Sequence, residues 1–174
     1  MLLLLAGCTS TSKAPHPLSS STAPAVSASA SPSIPADQAE AATKALAAYN
    51  AYREYQVKAM TSGHYDEKVM MGFTGGTELG RVGHALHVQE SDGLTITGRR
   101  PTWSPTVASV DLAAVPPVVV IHDCYDTSGM TLLIHGKPGP TPSGAPRSAL
   151  IAQVEQVSGK WYVFQVADAP DKTC

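Results

Sequence analysis

The chain has 174 residues, of which 15% are charged and 6% aromatic, and its formal net charge is −2. Its longest basic run is the pair Arg99-Arg100. A nucleic-acid-binding protein carries clustered lysines and arginines, so this class of partner is excluded. No apolar stretch approaches the roughly 18 residues that a membrane-spanning helix needs.

The N-terminus, residues 1–8, is apolar and ends in Leu5-Ala6-Gly7-Cys8. These four residues resemble the lipobox of bacterial lipoproteins. The resemblance implies a thioether-linked diacylglycerol on Cys8 and a location on the extracytoplasmic face of the cell membrane. The apolar run is shorter than the core of an export signal, so we expect the natural leader to begin upstream. The alternative is that Cys8 is a thiol without a role.

Residues 9–36 are nearly all Ser, Thr, Ala and Pro, and contain no acidic residue. Several prolines break any helix here, and little in this composition can form a core. The segment is therefore predicted to be a disordered tether. It would hold a folded domain, residues 37–174, away from the membrane.

The folded domain is predicted to open with a long helix over residues 38–61. Asp37 and Glu40 have the spacing of a capping box, and Gly63 is suited to end the helix. Lysines four residues after Glu40 and Glu54 would form ion pairs on the exposed side. One face of this helix is expected to be buried, with Ala42, Ala45, Tyr49, Tyr52, Tyr55 and Ala59 on it.

Residues 65–71 are predicted to hold a short helical turn, followed by a second helix over 77–90. Leu79, Val82 and Leu86 give that helix an apolar stripe, although its glycines weaken it. The rest of the chain alternates as strands do. Strands are predicted over 94–97, 103–110, 118–125, 131–135, 149–157 and 160–167, with a long loop over 136–146. A break at Pro101 or Pro105 is expected before the second strand. Helices followed by antiparallel strands predict an α+β fold with the helices on one face of the sheet.

Several segments of this chain together resemble a group of secreted lipoproteins from high-GC Gram-positive bacteria. The resemblance implies an NTF2-like (SnoaL-like) domain, a cone of N-terminal helices packed on a curved antiparallel sheet. The resemblance implies a fold and a cellular location, but it implies little about a reaction or a ligand. Besides the lipobox and tether, it rests on Ala47-Ala48-Tyr49 with Tyr52, Gly93-Leu94-Thr95-Ile96-Thr97-Gly98 with Pro101, Pro105-Thr106-Val107-Ala108-Ser109-Val110-Asp111, Asp123-Cys124, Trp161 and Cys174.

Three cysteines are present, and Cys8 is assigned to the lipid. An exported domain with two further cysteines, Cys124 and Cys174, is expected to pair them in a disulfide. That bond would hold the C-terminal tail to the sheet. The alternatives are a buried free thiol at Cys124 and an intermolecular bond through Cys174.

The six histidines show no metal-site spacing, and no metal or other cofactor is predicted. His84 and His87 are expected to be solvated residues of the second helix. Period-two counting places His122 and Asp123 on opposite faces, so they cannot form one catalytic pair within a regular strand. A bulge in the strand would remove this restriction. No hydrolase or phosphate-loop motif occurs, and no catalytic residue is assigned.

NTF2-like folds carry a pocket between the long helix and the sheet, and some relatives are isomerases or cyclases. Asp66 and Asp123 are the acids that such an enzyme would use as a base. The expected result is instead a cavity without a catalytic centre, or side chains that simply fill the core. The residues expected to line the cavity are Tyr49, Tyr52, Tyr65, Trp103, His122 and Tyr125.

Three functions follow as hypotheses. The first is a non-catalytic, surface-anchored module that binds a small apolar ligand or an envelope protein. The second is a pocket enzyme of the isomerase or cyclase type. The third is a structural spacer or a homodimerisation module. An inward carboxylate beside a donor in an open cavity would favour the enzyme, and a cavity without one would favour the binding module.

Overall fold

The computed structural model describes residues 34–141, 144–169 and 171–174. Cys8, the lipobox and most of the predicted tether lie outside these residues. Within them the chain is α+β, with helices packed against a strongly curled antiparallel sheet, as predicted. No helix in these ranges is long and apolar enough to cross a membrane.

The first helix, α1, spans Ala36–Ser62 and confirms the predicted long helix. Gly63 ends it in the left-handed region at φ 67°, and its N–H donates to the Ala59 carbonyl over 2.9 Å. The predicted capping box is wrong, because the helix begins one residue before Asp37 and Pro35 occupies the N-cap. Asp37 lies instead in the first turn, where a carboxylate is favourable beside the helix N-terminus.

Two shorter helices follow, α2 over Glu67–Met70 and α3 over Gly76–Ser91. Both confirm their predictions. Gly75 and Gly76, at the start of α3, are explained by a close approach of Phe164. A Cβ on Gly76, which has φ 53°, would lie only 2.5 Å from the Phe164 ring.

Seven strands, numbered β1–β7 in chain order, make up the described part of the sheet. β1, β4 and β5 form one section in that order, and the other section has the order β2-β3-β6-β7. The predicted strand over 103–110 begins only at Thr106, since Pro105 has no N–H to donate. The predicted loop over 136–146 contains β5. The strands are β1 Leu94–Gly98, β2 Thr106–Asp111, β3 Val118–Asp126, β4 Met130–Ile134, β5 Lys137–Pro138, β6 Arg147–Val157 and β7 Lys160–Asp168.

The core lies between α1, α3 and the concave face of the sheet. β3 is an interior strand, and its alternate residues Val119, Ile121 and Asp123 are buried against the helices. Tyr49 and Tyr52 of α1 are fully buried opposite them. The two tyrosines therefore point into the cone, as the helical spacing predicted.

Candidate functional site

Two regions of the domain have the chemistry of a site, and they differ in access to solvent. The first is the interior polar cluster, which we define as Tyr49, Tyr52, Arg53, Glu78 and Asp123. All five side chains are buried inside the cone. The second is an open groove between α1 and β1, described below.

One half of the interior polar cluster is built around Asp123. The Tyr49 hydroxyl donates to Asp123 Oδ2 over 2.7 Å, and the Ser104 amide donates to Oδ1 over 2.8 Å. Arg53, one helical turn after Tyr49, donates to the same hydroxyl from Nη2 over 2.6 Å and from Nε over 2.9 Å. Its Nε also lies 3.6 Å from Asp123 Oδ2. The carboxylate thus has a cationic partner and hydrogen-bond donors on both oxygens.

The other half of the cluster is built around Glu78 of α3. Tyr52 donates a short hydrogen bond to Glu78 Oε1, and the Val166 amide of β7 donates to Oε2 over 3.1 Å. Arg81, one turn further along α3, reaches the same carboxylate with Nη2 and Nε at 2.6 Å and 3.1 Å. Glu78 is 1% exposed. Its charge is therefore paired, and it joins α1, α3 and β7.

Burial raises the pKa of both Tyr49 and Tyr52 above the ordinary phenol value of 10.0. The neighbouring carboxylates act in the same direction, while Arg53 opposes the shift. Both phenols are therefore neutral donors at physiological pH. Some isomerases use an acidic base together with a neutral tyrosine as hydrogen-bond donor to the substrate. Here an arginine pairs with each carboxylate and side chains fill the surrounding interior.

An open cavity of about 830 Å³ lies between α1 and β1, and we call it the α1–β1 groove. Its floor is apolar, with Tyr55 and Val57 of α1 and Ile96 of β1 all buried. Its walls are formed by exposed residues of the same two elements. These are Ala51, Glu54, Lys58, Thr61 and Ser62 from α1, and Thr97, Gly98, Arg99 and Arg100 from β1 and the residues after it.

The rim of the α1–β1 groove is cationic. Its lining carries Lys58, Arg99 and Arg100 against the single carboxylate of Glu54. Arg100 pairs with Glu54, and Arg99 pairs with Asp126 over 3.0 Å. The expected pair of Glu54 with Lys58 is wrong, because Arg100 takes the carboxylate. Within the described residues Lys58 has no ion-pair partner.

Three of the six predicted pocket residues come together inside the cone. Tyr49 and Tyr52 have ring centroids 6.0 Å apart. Tyr125 of β3 joins them, with its ring 4.8 Å from the guanidinium carbon of Arg53. Tyr49 and Tyr52 therefore belong to the packed core rather than to the wall of an open pocket, and Tyr125 packs on Arg53 at partial burial.

The other three predicted pocket residues lie elsewhere. Trp103 is half-buried beside α1, where its Nε1–H donates to Asn50 Oδ1 over 2.9 Å. Tyr65 borders a separate depression of about 470 Å³ beside α3, which also contains the exposed His84 and His87. His122 alternates with the buried residues of β3 and so faces away from the cone. Period-two counting therefore separated it correctly from Asp123.

The two acids considered as a general base have different positions. Asp66 is exposed and caps α2, where its Oδ1 accepts from the amides of Lys68 and Val69 over 2.9 Å and 3.3 Å. Asp123 points inward and bonds to Tyr49, but its side chain is 0% exposed and Arg53 neutralises it. Asp66 thus serves as the N-cap of α2 at the surface, and Asp123 is buried where no substrate reaches it.

Arg53 and Glu78 were not predicted from the sequence as members of the interior polar cluster. A signal for Glu78 existed, because it lies four and eight residues before Val82 and Leu86, on the buried stripe of α3. Arg53 follows Tyr49 by one turn, but an arginine next to a glutamate on a long helix is typical of a solvated face. The burial of Arg53 is explained only by its long-range contact with Asp123 on β3.

The sulfur atoms of Cys124 and Cys174 lie at bonding distance, and the two Cα atoms are 5.5 Å apart. This spacing fits a disulfide. The pair connects the interior strand β3 to the last residue of the chain, as predicted. Within the described residues no cluster of three or more His, Cys, Asp or Glu side chains has the arrangement of a metal site.

Comparisons with known proteins give a likeness of fold. No protein-family model matches the chain, and no curated protein matches it. One solved structure that is similar is the crystal structure of the intermembrane space region of the chloroplast protein ARC6. The TM-score is 0.51 at 14% identity, covering 79% of this chain and 98% of that one. At this identity the likeness concerns the fold alone.

Proposed function

We propose that this chain is a lipid-anchored extracytoplasmic protein whose NTF2-like domain is a non-catalytic binding module. Its ligand site is the α1–β1 groove, and its ligand is a small apolar molecule or an apolar segment of an envelope protein. The observation that carries the proposal is the contrast between a filled cone interior and an open apolar groove beside it.

The groove has the properties of a binding site. Its volume of about 830 Å³ lies within the roughly 300–1,000 Å³ of known ligand pockets. Tyr55, Val57 and Ile96 form an apolar floor against which the apolar part of a ligand would pack. Lys58, Arg99 and Arg100 supply charges at the rim that would orient a ligand with an acidic group.

One observation favours a second candidate, an enzyme of the isomerase or cyclase type. Tyr49 donates to the inward carboxylate of Asp123, as a donor and a base would be arranged. Two further observations weigh against it. Arg53 pairs with the acid, and neither Tyr49 nor the Asp123 side chain has any exposure to a substrate. The third hypothesis, a structural spacer, would leave the groove without a role.

The anchoring part of the proposal rests on Leu5-Ala6-Gly7-Cys8. Two or three acyl chains hold a protein stably on a membrane, whereas one holds it only marginally. With a complete export leader, Cys8→Ser should release the protein into the medium, which cell fractionation would detect. Equal membrane retention of the wild type and Cys8→Ser would refute lipid anchoring at Cys8.

The binding part is tested with anilinonaphthalene sulfonate, a fluorescent apolar anion. We expect one saturable site on the folded wild-type protein. Ala51→Trp, which places an indole in the groove, should weaken that site at least tenfold. Ala47→Trp lies one turn earlier on the exposed side of α1, outside the groove, and is the matched control. Equal affinity in the two variants, or no saturable site in the wild type, would contradict the proposal.

A further inference from the structure

We propose that the α1–β1 groove receives an extended acidic peptide segment of a partner protein, which adds as a strand to the free edge of β1. This inference rests on the proposed function, since it takes the same groove as the ligand site and specifies the class of ligand. It follows from the strand order, the hydrogen bonds of β1, and the charge of the rim.

β1 is an edge strand whose only neighbour in its sheet section is β4. The Gly93 carbonyl accepts from the His135 amide, and the Arg99 amide donates to the Gly129 carbonyl, each over 2.9 Å. In an antiparallel pair the polar groups of alternate residues point to opposite sides. Residues 93, 95, 97 and 99 therefore face β4, and Ile96 and Gly98 present their N–H and C=O groups to the other side.

No described residue takes up those groups. Outside the pairing of β1 with β4, no hydrogen bond among the described residues involves the backbone of Ile96 or Gly98. The groove is lined by all of residues 96–100 in succession. A sheet face would contribute only alternate residues, so the groove runs along the edge of the strand.

The remaining edges of the two sheet sections are blocked in ways that proteins use against strand addition. β5 is two residues long and ends in Pro138. β2 follows Pro105 and carries a bulge between Val107 and Ser109. On β7, the Val163 amide donates to the Phe73 carbonyl over 2.9 Å, and its carbonyl accepts from Gly75 over 3.0 Å. The edge of β1 thus has none of these blocks within the described residues.

The dimensions of the groove suit an extended strand. A strand of five residues spans about 17 Å, which is the length of β1 itself. On the helix side, lining residues recur along about three turns of α1, from Ala51 through Tyr55 and Lys58 to Ser62. A strand bound between them would place alternate side chains on the apolar floor of Tyr55, Val57 and Ile96.

The charge of the rim favours acidic side chains at the peptide positions that do not pack on the apolar floor. The rim has three cationic residues, Lys58, Arg99 and Arg100, and one carboxylate, that of Glu54. An acidic residue on the peptide would meet Lys58, which has no ion-pair partner within the described residues, and could share Arg100 with Glu54. The structure therefore assigns a segment that alternates apolar and acidic residues.

The probe is a capped eight-residue peptide that alternates valine and glutamate. Its binding is measured by the fluorescence anisotropy of a dye-labelled form and by displacement of anilinonaphthalene sulfonate. We expect saturable binding that Lys58→Glu weakens at least tenfold and that the control Lys137→Glu leaves unchanged. A peptide with lysine in place of glutamate should bind at least tenfold more weakly to the wild type. Equal binding of the two peptides would overturn the proposal.

Backbone recognition is tested with two N-methylated forms of the probe, one methylated on the valine amides and one on the glutamate amides. In a strand these amides point to opposite edges. One form should lose at least tenfold in affinity, and the other should stay within threefold. Hydrogen exchange should show Ile96 exchanging rapidly in the free protein and protected in the complex, beside Thr95 and Thr97 that are protected in both. Equal effects of the two methylations, or unchanged exchange at Ile96, would overturn strand addition.

Different results would refute the strand proposal and the binding-module proposal. If the dye binds in the groove but the peptide does not, or if a fatty acid displaces the dye and the peptide does not, the strand proposal fails and the binding-module proposal stands. If the wild type dimerises and Ala51→Trp is monomeric, the groove belongs to a second copy, and the strand proposal fails. If neither dye nor peptide binds, both proposals fail.

Discussion

The interior polar cluster and the α1–β1 groove lie on the same helix, yet their polar groups are satisfied in opposite ways. In the cluster, Asp123 and Glu78 are fully buried and every carboxylate oxygen accepts a hydrogen bond. In the groove, the edge of β1 and Lys58 have no such partners within the described residues. Buried polar groups must be paired to be tolerated, whereas exposed ones remain available to a ligand. The comparison indicates that the cluster specifies the fold and the groove serves binding.

The strongest test of this comparison removes one charge from the cluster. Arg53→Met leaves the buried carboxylate of Asp123 without a cation, and we expect a loss of about 3–5 kcal/mol in the free energy of unfolding. The control Arg100→Met removes a surface ion pair and should cost at most about 1 kcal/mol. Urea unfolding measures both. Adding Asp123→Asn to Arg53→Met should recover part of the loss, and a single-variant cost near that of the control would show that the cluster is not structural.

The disulfide supports the same interior region from outside. Cys124 and Cys174 are separated by 50 residues, and closing a loop of that length restricts the unfolded chain by up to about 4 kcal/mol. We expect Cys174→Ala to lower the free energy of unfolding by about 2–4 kcal/mol under oxidising conditions. The variant and the wild type should be about equally stable in reducing buffer. Equal stability under oxidising conditions would contradict a bond between them.

The buried phenols predict a sensitivity to alkali. Because their pKa is raised in the folded state, the unfolded chain releases protons first, near pH 10. Stability is therefore complete below about pH 10 and falls as the pH rises further, by up to about 1.4 kcal/mol per pH unit for each tyrosine. Tyr49→Phe should reduce the slope of unfolding free energy against pH by one proton. Tyr162→Phe, which changes a half-exposed tyrosine outside the interior polar cluster, is the control and should leave the slope nearly unchanged.

The smallest expected effects on stability are those of groove substitutions. Lys58→Ala and Thr61→Ala change exposed side chains and should shift the free energy of unfolding by less than about 0.5 kcal/mol. Lys58→Ala should nevertheless weaken binding of anilinonaphthalene sulfonate severalfold, and Thr61→Ala should not. A large loss of stability in Lys58→Ala would mean that the groove, like the cluster, is part of the core.

The fold was largely predictable from the sequence, because its signals are local. The periodicity of α1, the Gly63 terminator and the alternating strands each act over a few residues, and each matched the structure. The predicted capping box of α1 was wrong, because Pro35 occupies the N-cap. A break at Pro101 or Pro105 was expected, and β2 begins directly after Pro105. The alternation of side chains along β3 also predicted correctly that His122 and Asp123 lie on opposite faces.

The candidate site was much less predictable, because it depends on contacts between distant segments. Glu78 and Arg53 look like solvated helix residues until Tyr52 and Asp123 lie opposite them. The groove follows from β1 being an edge, and strand order is a property of long-range pairing that no local pattern encodes. Tyr49 and Tyr52, which the sequence allowed either to line a cavity or to fill the core, belong to the core.

The central claim is that ligands enter the α1–β1 groove and not the cone. The most direct measurement is a titration of the ¹⁵N-labelled protein with anilinonaphthalene sulfonate, followed by amide chemical shifts. The account predicts that the largest changes cluster on residues 96–100 and on α1 from Ala51 to Ser62, while Ile121 and Asp123 of β3 change little. Largest changes at Tyr49, Glu78 and Asp123 would place the ligand inside the cone and contradict the account.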